Sequence, residues 1–180
     1  MTQATNPPAE RRGVIEVGGK PATVIGNDVK VGEAAPAFIA SANDWTPVDV
    51  LAASAGKVRI LAAVPSLDTS VCARETRRFN EEAGKLDPNI VIYTISTDFP
   101  FRQKEWCGAQ GIDRVHTVSD VVDGDFGVKY GTLIKERRFH RRAVFVVDPQ
   151  GKLVYAAYMP KLGDEPHYEE VLAAAKAALG

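Results

Sequence analysis

Residues 58–83 read VRILAAVPSLDTSVCARETRRFNEEA and contain the junction that decides the fold. The first part, residues 58–64, is nearly all apolar, which is typical of a β-strand buried on both faces of a sheet. A helix is predicted next, because Thr69 or Ser70 can cap its N-terminus and Gly84 can supply the stop after it. This stretch therefore predicts a buried strand that runs directly into a helix.

Strands and helices are also predicted on both sides of this junction. Residues 14–17 and 22–25 predict an N-terminal β-hairpin with a glycine-rich turn. Asp98 is the predicted N-cap of a later helix, and Gly108 is its predicted end. The other predicted strands cover residues 90–95, 115–118, 143–147 and 153–159. A further helix is predicted over residues 168–180, and a short helical or irregular segment over residues 126–130. This order predicts an α/β fold of the thioredoxin kind, with a central mixed β-sheet flanked by helices.

Length and composition indicate one globular domain. The chain has 180 residues, of which 45% are hydrophobic and 25% are charged, and single domains typically have about 100–200 residues. Residues 1–12 are polar and contain prolines, so we expect a flexible tail there and a single domain over residues 13–180. The 22 Lys and Arg residues balance the 23 Asp and Glu residues. That balance excludes the electrostatic footprint expected for binding to nucleic acid or to an anionic membrane surface.

The N-terminal residues lack the apolar run of a secretory signal. No uncharged apolar stretch reaches the roughly 18 residues that a transmembrane helix needs. We therefore expect a cytoplasmic protein. In a reducing cytoplasm, a disulfide between Cys72 and Cys107, which are the two cysteines of the chain, is expected to be transient and functional.

Cys72 occupies a position that favours a reactive thiol. It falls in the first turn of the predicted helix, where free backbone N–H groups and the helix dipole stabilise an anion. Arg74, Arg77 and Arg78 add positive charge nearby. A free cysteine thiol is only about 3% ionised at pH 7, so complete ionisation accelerates its reactions by about 30-fold, or ~2 kcal/mol, and no more. A fast thiol therefore also needs groups that polarise its electrophile.

Other uses of the two cysteines fit the sequence poorly. Cys72 and Cys107 do not form a C-x-x-C pair, which argues against both a structural zinc site and a thioredoxin-type disulfide reductase. His116, His140 and His167 are scattered along the chain, and none is spaced to suggest the Cys–His pair of a hydrolase. Either cysteine, taken alone, could also be a small buried hydrophobic residue.

The pattern Pro65-x-x-x-Thr69-x-x-Cys72 resembles the active-site signature of the peroxiredoxins. The longer stretch over residues 65–83 is similar to their thiol peroxidase branch, which is the atypical two-cysteine type. The similarity continues in STDFPFRQKEWCGA (96–109), RAVFVVD (142–148) and DEPHYEEVLAA (164–174). It therefore spans essentially all of the chain beyond residue 13.

The resemblance implies a role for five residues. Cys72 matches the peroxidatic cysteine, which attacks the O–O bond and becomes a sulfenic acid. Cys107 matches the resolving cysteine, which condenses with that sulfenic acid to give an intramolecular disulfide. Thr69 matches the hydroxyl that hydrogen-bonds the thiolate and the peroxide, and Pro65 matches the residue that shields the pocket from water. Arg142 matches the arginine that holds the thiolate and the peroxide oxygens.

The resemblance thus implies a thiol-dependent peroxidase that reduces hydrogen peroxide and organic hydroperoxides and is recycled by thioredoxin. It also implies a homodimer and no metal, haem or flavin cofactor, because sulfur carries the chemistry. The alternative is a thioredoxin-like redox-sensing or partner-binding module whose Cys72 is oxidised without turnover. Catalytic consumption of peroxide with recycling by thioredoxin distinguishes the two.

Overall fold

The computed structural model describes residues 6–180. Its strands are β1 (Glu10–Val17), β2 (Lys20–Ile25), β3 (Ile39–Ser41), β4 (Pro47–Asp49), β5 (Val58–Ala63), β6 (Ile90–Ser96), β7 (His116–Ser119), β8 (Leu133–Ile134), β9 (Phe139–His140), β10 (Ala143–Val147) and β11 (Leu153–Tyr158). Its helices are α1 (Val50–Ala53), α2 (Ser70–Ala83), α3 (Pro100–Gln110), α4 (Asp125–Lys129) and α5 (Tyr168–Ala177). Within these residues, no helix has the length and apolar character needed to cross a membrane.

The central sheet has seven strands in the order β11-β10-β5-β6-β7-β3-β4. β5, β6 and β7 are parallel to one another, and the strands on either side of them pair antiparallel. β5 is an interior strand, between β10 and β6, and is buried at every position, as its apolar sequence predicts. Its side chains alternate between two cores: Ile60 packs with Phe79 of α2, whereas Leu61 packs with Phe126 of α4. The predicted mixed sheet with helices on both faces is therefore confirmed.

The N-terminal hairpin, β1 and β2, belongs to a second sheet with the order β1-β2-β8-β9. The hairpin is confirmed, but β1 begins at Glu10, so the predicted tail over residues 1–12 is wrong for residues 10–12. Pairing with β2 explains the longer strand, since Glu10 lies opposite Ile25. Arg11 also donates from Nε to the carbonyl oxygen of Gly26 at 2.8 Å. The remainder of the predicted tail includes residues 1–5, which lie outside the described residues.

Both predicted ends of α3 are wrong. Its N-cap is Phe99, because the carboxylate of Asp98 instead accepts hydrogen bonds from the loop before α2. Its C-cap is Gly111, whose φ of +66° is left-handed and whose N–H donates to the carbonyl oxygen of Cys107. Gly108 lies inside the helix. A glycine there lowers helix stability by only about 1 kcal/mol relative to alanine, which does not end the helix. Cys107 therefore lies within the last turn of α3 rather than at its end.

Candidate active site

Cys72 lies in the first turn of α2 and is fully buried. Its side chain packs with Val64 and Leu67, and Trp106 of α3 packs against this cluster. Two polar groups reach the sulfur: Thr69 Oγ1 lies 2.7 Å from Sγ, and Arg142 donates from Nη2 to Sγ at 3.2 Å. The structure therefore brings together three of the predicted site residues around a sulfur that has no exposed surface.

The hydroxyl of Thr69 contacts this sulfur, and its backbone forms the N-cap of α2. Its side chain makes no capping bond, whereas its carbonyl oxygen accepts from the N–H of Ala73 at 2.9 Å. Its hydroxyl also lies 2.9 Å from the carbonyl oxygen of Ser66. One hydroxyl carries one proton. It is donated to the sulfur when Cys72 is a thiolate, and to Ser66 when the thiol of Cys72 is itself the donor.

Arg142 lies in the short connection between the two sheets, after β9 and directly before β10. Its side chain is almost fully buried, and Nη2 also donates to the carbonyl oxygen of Leu162 at 3.0 Å. Burial acts to lower the pKa of Arg142, but the charges of Glu75 and Cys72 outweigh it and raise that pKa. The guanidinium is therefore a fixed positive charge beside the sulfur.

Glu75 is a site residue that sequence reasoning missed. It lies on α2 three positions after Cys72 and is fully buried, and its Oε2 accepts a hydrogen bond from Arg142 Nη1. Burial raises the pKa of Glu75 to about 7, although Arg142 acts in the opposite direction. The spacing of three places both side chains on one face of the helix. That spacing was the available signal for Glu75.

A cavity of about 310 Å³ is lined by residues 69–71, which directly precede Cys72. Thr69 and Arg142, the two polar partners of the sulfur, line it, and so does Pro65. The rest of its lining includes the apolar side chains of Val71, Phe139 and Leu162. A small molecule in this cavity would contact both groups that bind the sulfur, within largely apolar surroundings. Pro65 thus lies where it can limit the access of water.

Cys107 lies apart from this group. Its side chain is half-buried and packs against the core between the central sheet and α2 and α5. Its Sγ lies 3.5 Å from Thr117 Oγ1, and burial raises the pKa of the Cys107 thiol. Both cysteines are free thiols in this structure. Trp106 packs against the cluster of Cys72 and also against the core that Cys107 contacts.

This arrangement is suited to the chemistry of an anionic sulfur. A guanidinium and a hydroxyl, both fixed in place, can stabilise negative charge on the sulfur and on an oxygen bound next to it. Among residues 6–180, no group of three or more His, Cys, Asp or Glu side chains is placed to hold a metal ion.

Comparisons with known proteins agree with this chemistry. The model of the AhpC/TSA family matches residues 31–156. The chain is 50% identical to a thiol peroxidase of Bacillus subtilis over 88% of this chain and 94% of that protein. It is 47% identical to a thiol peroxidase of Halalkalibacterium halodurans over 89% of this chain and 96% of that protein. A solved structure of a peroxiredoxin-like protein from Aquifex aeolicus, 32% identical, superposes with a TM-score of 0.82 and covers 96% of this chain and 99% of that chain. The thioredoxin-like fold is confirmed.

Proposed function

Because this chain belongs to the AhpC/TSA family and is a thiol-dependent peroxidase, we propose that Cys72 is its peroxidatic cysteine and Cys107 its resolving cysteine. The observation that carries the proposal is the contact of the buried Cys72 sulfur with Thr69 Oγ1 at 2.7 Å and with Arg142 Nη2 at 3.2 Å. An enzyme of this class needs a peroxide substrate and a thiol reductant. A non-catalytic redox-sensing module is not favoured, since the relatives are thiol peroxidases.

In the first step, the thiolate of Cys72 attacks one oxygen of the hydroperoxide. A sulfur–oxygen bond forms and the O–O bond breaks, so that the sulfur is oxidised to a sulfenic acid and the second oxygen leaves as an alkoxide or hydroxide, which takes up a proton. Negative charge moves from the sulfur to the leaving oxygen. Arg142 and Thr69 stabilise that charge because both line the cavity and contact the sulfur.

In the second step, the thiol of Cys107 attacks the sulfenic acid of Cys72. A disulfide forms and water leaves. A dithiol protein then reduces this disulfide by thiol–disulfide exchange and becomes oxidised itself. We propose thioredoxin as this reductant. A cytoplasmic location is part of the proposal, because a disulfide that must be reduced in each cycle suits a reducing compartment.

The cavity supports organic hydroperoxides as substrates beside hydrogen peroxide. Val71, Phe139 and Leu162 provide apolar surface next to Thr69 and Arg142, and an alkyl group buried there gains about 0.8 kcal/mol for each CH₂. Pro65 adds to this apolar lining. Hydrogen peroxide can use only the polar contacts. We therefore expect a lower KM for cumene hydroperoxide than for hydrogen peroxide.

An exposed aromatic surface supports the homodimer. Trp45, Phe99 and Phe101 are 45%, 52% and 50% exposed. The rings of Trp45 and Phe99 have centroids 6.3 Å apart, and those of Phe99 and Phe101 are 5.6 Å apart and stacked. A cluster of large exposed apolar side chains is typical of a protein–protein interface. We propose that a second copy of this chain covers the aromatic surface formed by these three residues.

The test is an NADPH-coupled assay with thioredoxin and thioredoxin reductase. Cys72→Ser should abolish peroxide consumption, because a hydroxyl cannot replace the thiolate at neutral pH. Cys107→Ser should still be oxidised once but should lose turnover, and mass spectrometry after one equivalent of peroxide should find a sulfenic acid adduct at Cys72. Full thioredoxin-coupled activity of Cys107→Ser would show that Cys107 is not the resolving cysteine.

A further inference from the structure

Asp98 follows β6, and its half-buried carboxylate accepts three hydrogen bonds. Its Oδ1 accepts from Ser66 Oγ at 2.7 Å. Its Oδ2 accepts from the backbone N–H of Leu67 at 2.8 Å and from Ser96 Oγ at 2.8 Å. Ser66 and Leu67 belong to the loop that leads to Cys72. A carboxylate outside the group around the sulfur therefore binds the segment that carries the sulfur.

The same carboxylate reaches α3 through Ser96. The hydroxyl of Ser96 is fully buried and accepts a hydrogen bond from Gln103 Nε2 at 3.0 Å. Gln103 is also fully buried and lies on α3, one turn before Cys107. Ser66, Asp98, Ser96 and Gln103, which we call the polar link, therefore connect the segment before α2 with the helix that carries Cys107.

The polar link is intact in the reduced protein, whereas disulfide formation requires these segments to move. A disulfide needs Cα atoms within about 7 Å of each other, whereas the two free thiols contact different clusters, Cys72 that of Val64 and Leu67 and Cys107 the core beneath α2 and α5. Trp106 packs against the clusters of both cysteines. Bringing the two sulfurs together therefore disturbs the packing of Trp106 and the polar link beside it.

We propose that Asp98 is a positioning residue that sets how often the two cysteine segments open, and thereby how fast Cys107 traps the sulfenic acid of Cys72. This proposal rests on the proposed function. Hydrogen bonds to an ionised carboxylate are stronger than those between neutral groups. Losing one such bond is expected to raise the open population about tenfold, which corresponds to ~1.4 kcal/mol.

The opening rate decides between two fates of the sulfenic acid. It either condenses with Cys107 and releases water, or it reacts with a second hydroperoxide. In the second reaction the sulfur gains an oxygen to become a sulfinic acid, and the hydroperoxide is reduced to an alcohol or water. By holding the segments closed, Asp98 lengthens the life of the sulfenic acid and lowers the peroxide concentration at which Cys72 is inactivated.

The test compares Asp98→Asn with the wild type as full-length reduced protein. Asparagine keeps the size of the side chain but removes its charge, so its hydrogen bonds to the loop before α2 and to Ser96 are no longer strengthened by an ionised acceptor. Quenched-flow mass spectrometry with hydrogen peroxide measures first oxidation, disulfide formation and sulfinic acid. Asp98→Asn should form the disulfide about tenfold faster, and about tenfold more peroxide should be needed to convert half of Cys72 to sulfinic acid, while first oxidation stays within about threefold of the wild-type rate.

Two further variants separate the polar link from general effects. Glu81→Gln removes the same charge from the exposed face of α2 and should behave as the wild type. Ser66→Ala removes one arm of the polar link and should shift disulfide formation in the same direction by about threefold, which tests the proposal even where Asp98→Asn does not fold.

An unchanged or slower disulfide step in Asp98→Asn and Ser66→Ala would overturn the polar link as a control of opening. A first oxidation that falls tenfold would overturn it too, because Asp98 would then act on the peroxide cavity. Failure of the wild type to form a disulfide between Cys72 and Cys107 would instead overturn the proposed function. The wild-type control therefore distinguishes the two failures.

Discussion

Replacing Arg142 with methionine tests what the guanidinium contributes. The substitution removes the donor that lies 3.2 Å from the Cys72 sulfur and keeps a long apolar side chain in a nearly fully buried position. The rate of Cys72 oxidation is expected to lose two contributions. Ionisation of the thiol accounts for about 30-fold at most, or ~2 kcal/mol. Loss of a fixed donor to the leaving oxygen commonly costs about 3–4 kcal/mol, which is about 10²–10³ in rate.

The assay separates these two losses by pH. We measure the second-order rate constant for oxidation of Cys72 by hydrogen peroxide at pH 7 and at about pH 10, where an ordinary thiol with a pKa of about 8.5 is ionised. Arg142→Met should remain about 10²–10³-fold slower than the wild type at the higher pH. Recovery of the wild-type rate there would refute the reasoning, because Arg142 would then act only on ionisation.

Glu75 requires a control in this experiment. In Arg142→Met the carboxyl group of Glu75 keeps its burial but loses the guanidinium that binds Oε2, so its ionisation at the higher pH leaves an unpaired buried charge, which is strongly destabilising. The double variant Arg142→Met/Glu75→Gln removes that charge and should show the same loss of rate in a more stable protein. Arg142 belongs to a basic run that also contains Arg137, Arg138 and Arg141. Arg137→Met, which removes a charge from an exposed position of this run, should react at the wild-type rate.

Three other predictions concern Trp106, Glu75 and Phe101. Oxidation by one equivalent of peroxide should shift the fluorescence of Trp106, measured in a Trp45→Phe background, and should raise amide hydrogen exchange over residues 99–111. Both changes should be reversed by dithiothreitol. Identical fluorescence and exchange in the two redox states would contradict the need for opening. Burial raises the pKa of Glu75 from 4.5 to about 7. The free energy of unfolding of the wild type should therefore fall relative to that of Glu75→Gln as pH rises from 4.5 to about 7. Urea denaturation that shows the same difference in unfolding free energy at every pH would contradict this. Phe101→Glu should shift the sedimentation of the protein from dimer to monomer, whereas an unchanged dimer would place the interface elsewhere.

The local part of the site follows from sequence. Val58 to Val64 is apolar at nearly every position, and the cap and stop signals at Thr69 and Gly84 are short-range, so β5 and α2 were predicted with nearly their observed bounds. Thr69 and Cys72 are three positions apart at a helix start, so their contact is a consequence of helical geometry. The sequence therefore predicted the contact of Thr69 with Cys72, but not the inward position of Glu75 on the same helix.

The contact of Arg142 with the sulfur depends on which strands, distant in sequence, become neighbours in the sheet. Arg142 reaches the sulfur because β10 pairs antiparallel with β5, with Ala143 opposite Ala63. Its role was predicted from the family resemblance alone, since a basic run otherwise indicates a solvated surface. Glu75 was missed because it lies among arginines in sequence, which indicates an exposed helix face, and yet faces inward, where Arg142 binds it. The predicted start of α3 was wrong because Asp98 uses its carboxylate for a tertiary contact, which local capping rules do not include.

The position of Arg142 between two sheets bears on how the protein is made. Cys72 leaves the ribosome 70 residues before Arg142, which is roughly 4–14 s at 5–20 residues per second. The sheet that precedes Arg142 needs β2 to pair with β8, a partner synthesised long after the hairpin. While those 70 residues are added, the nascent chain carries Cys72 without the guanidinium that contacts its sulfur. Under the proposed function, the fast reaction of Cys72 with peroxide therefore begins only after Arg142 has been made and has packed beside it.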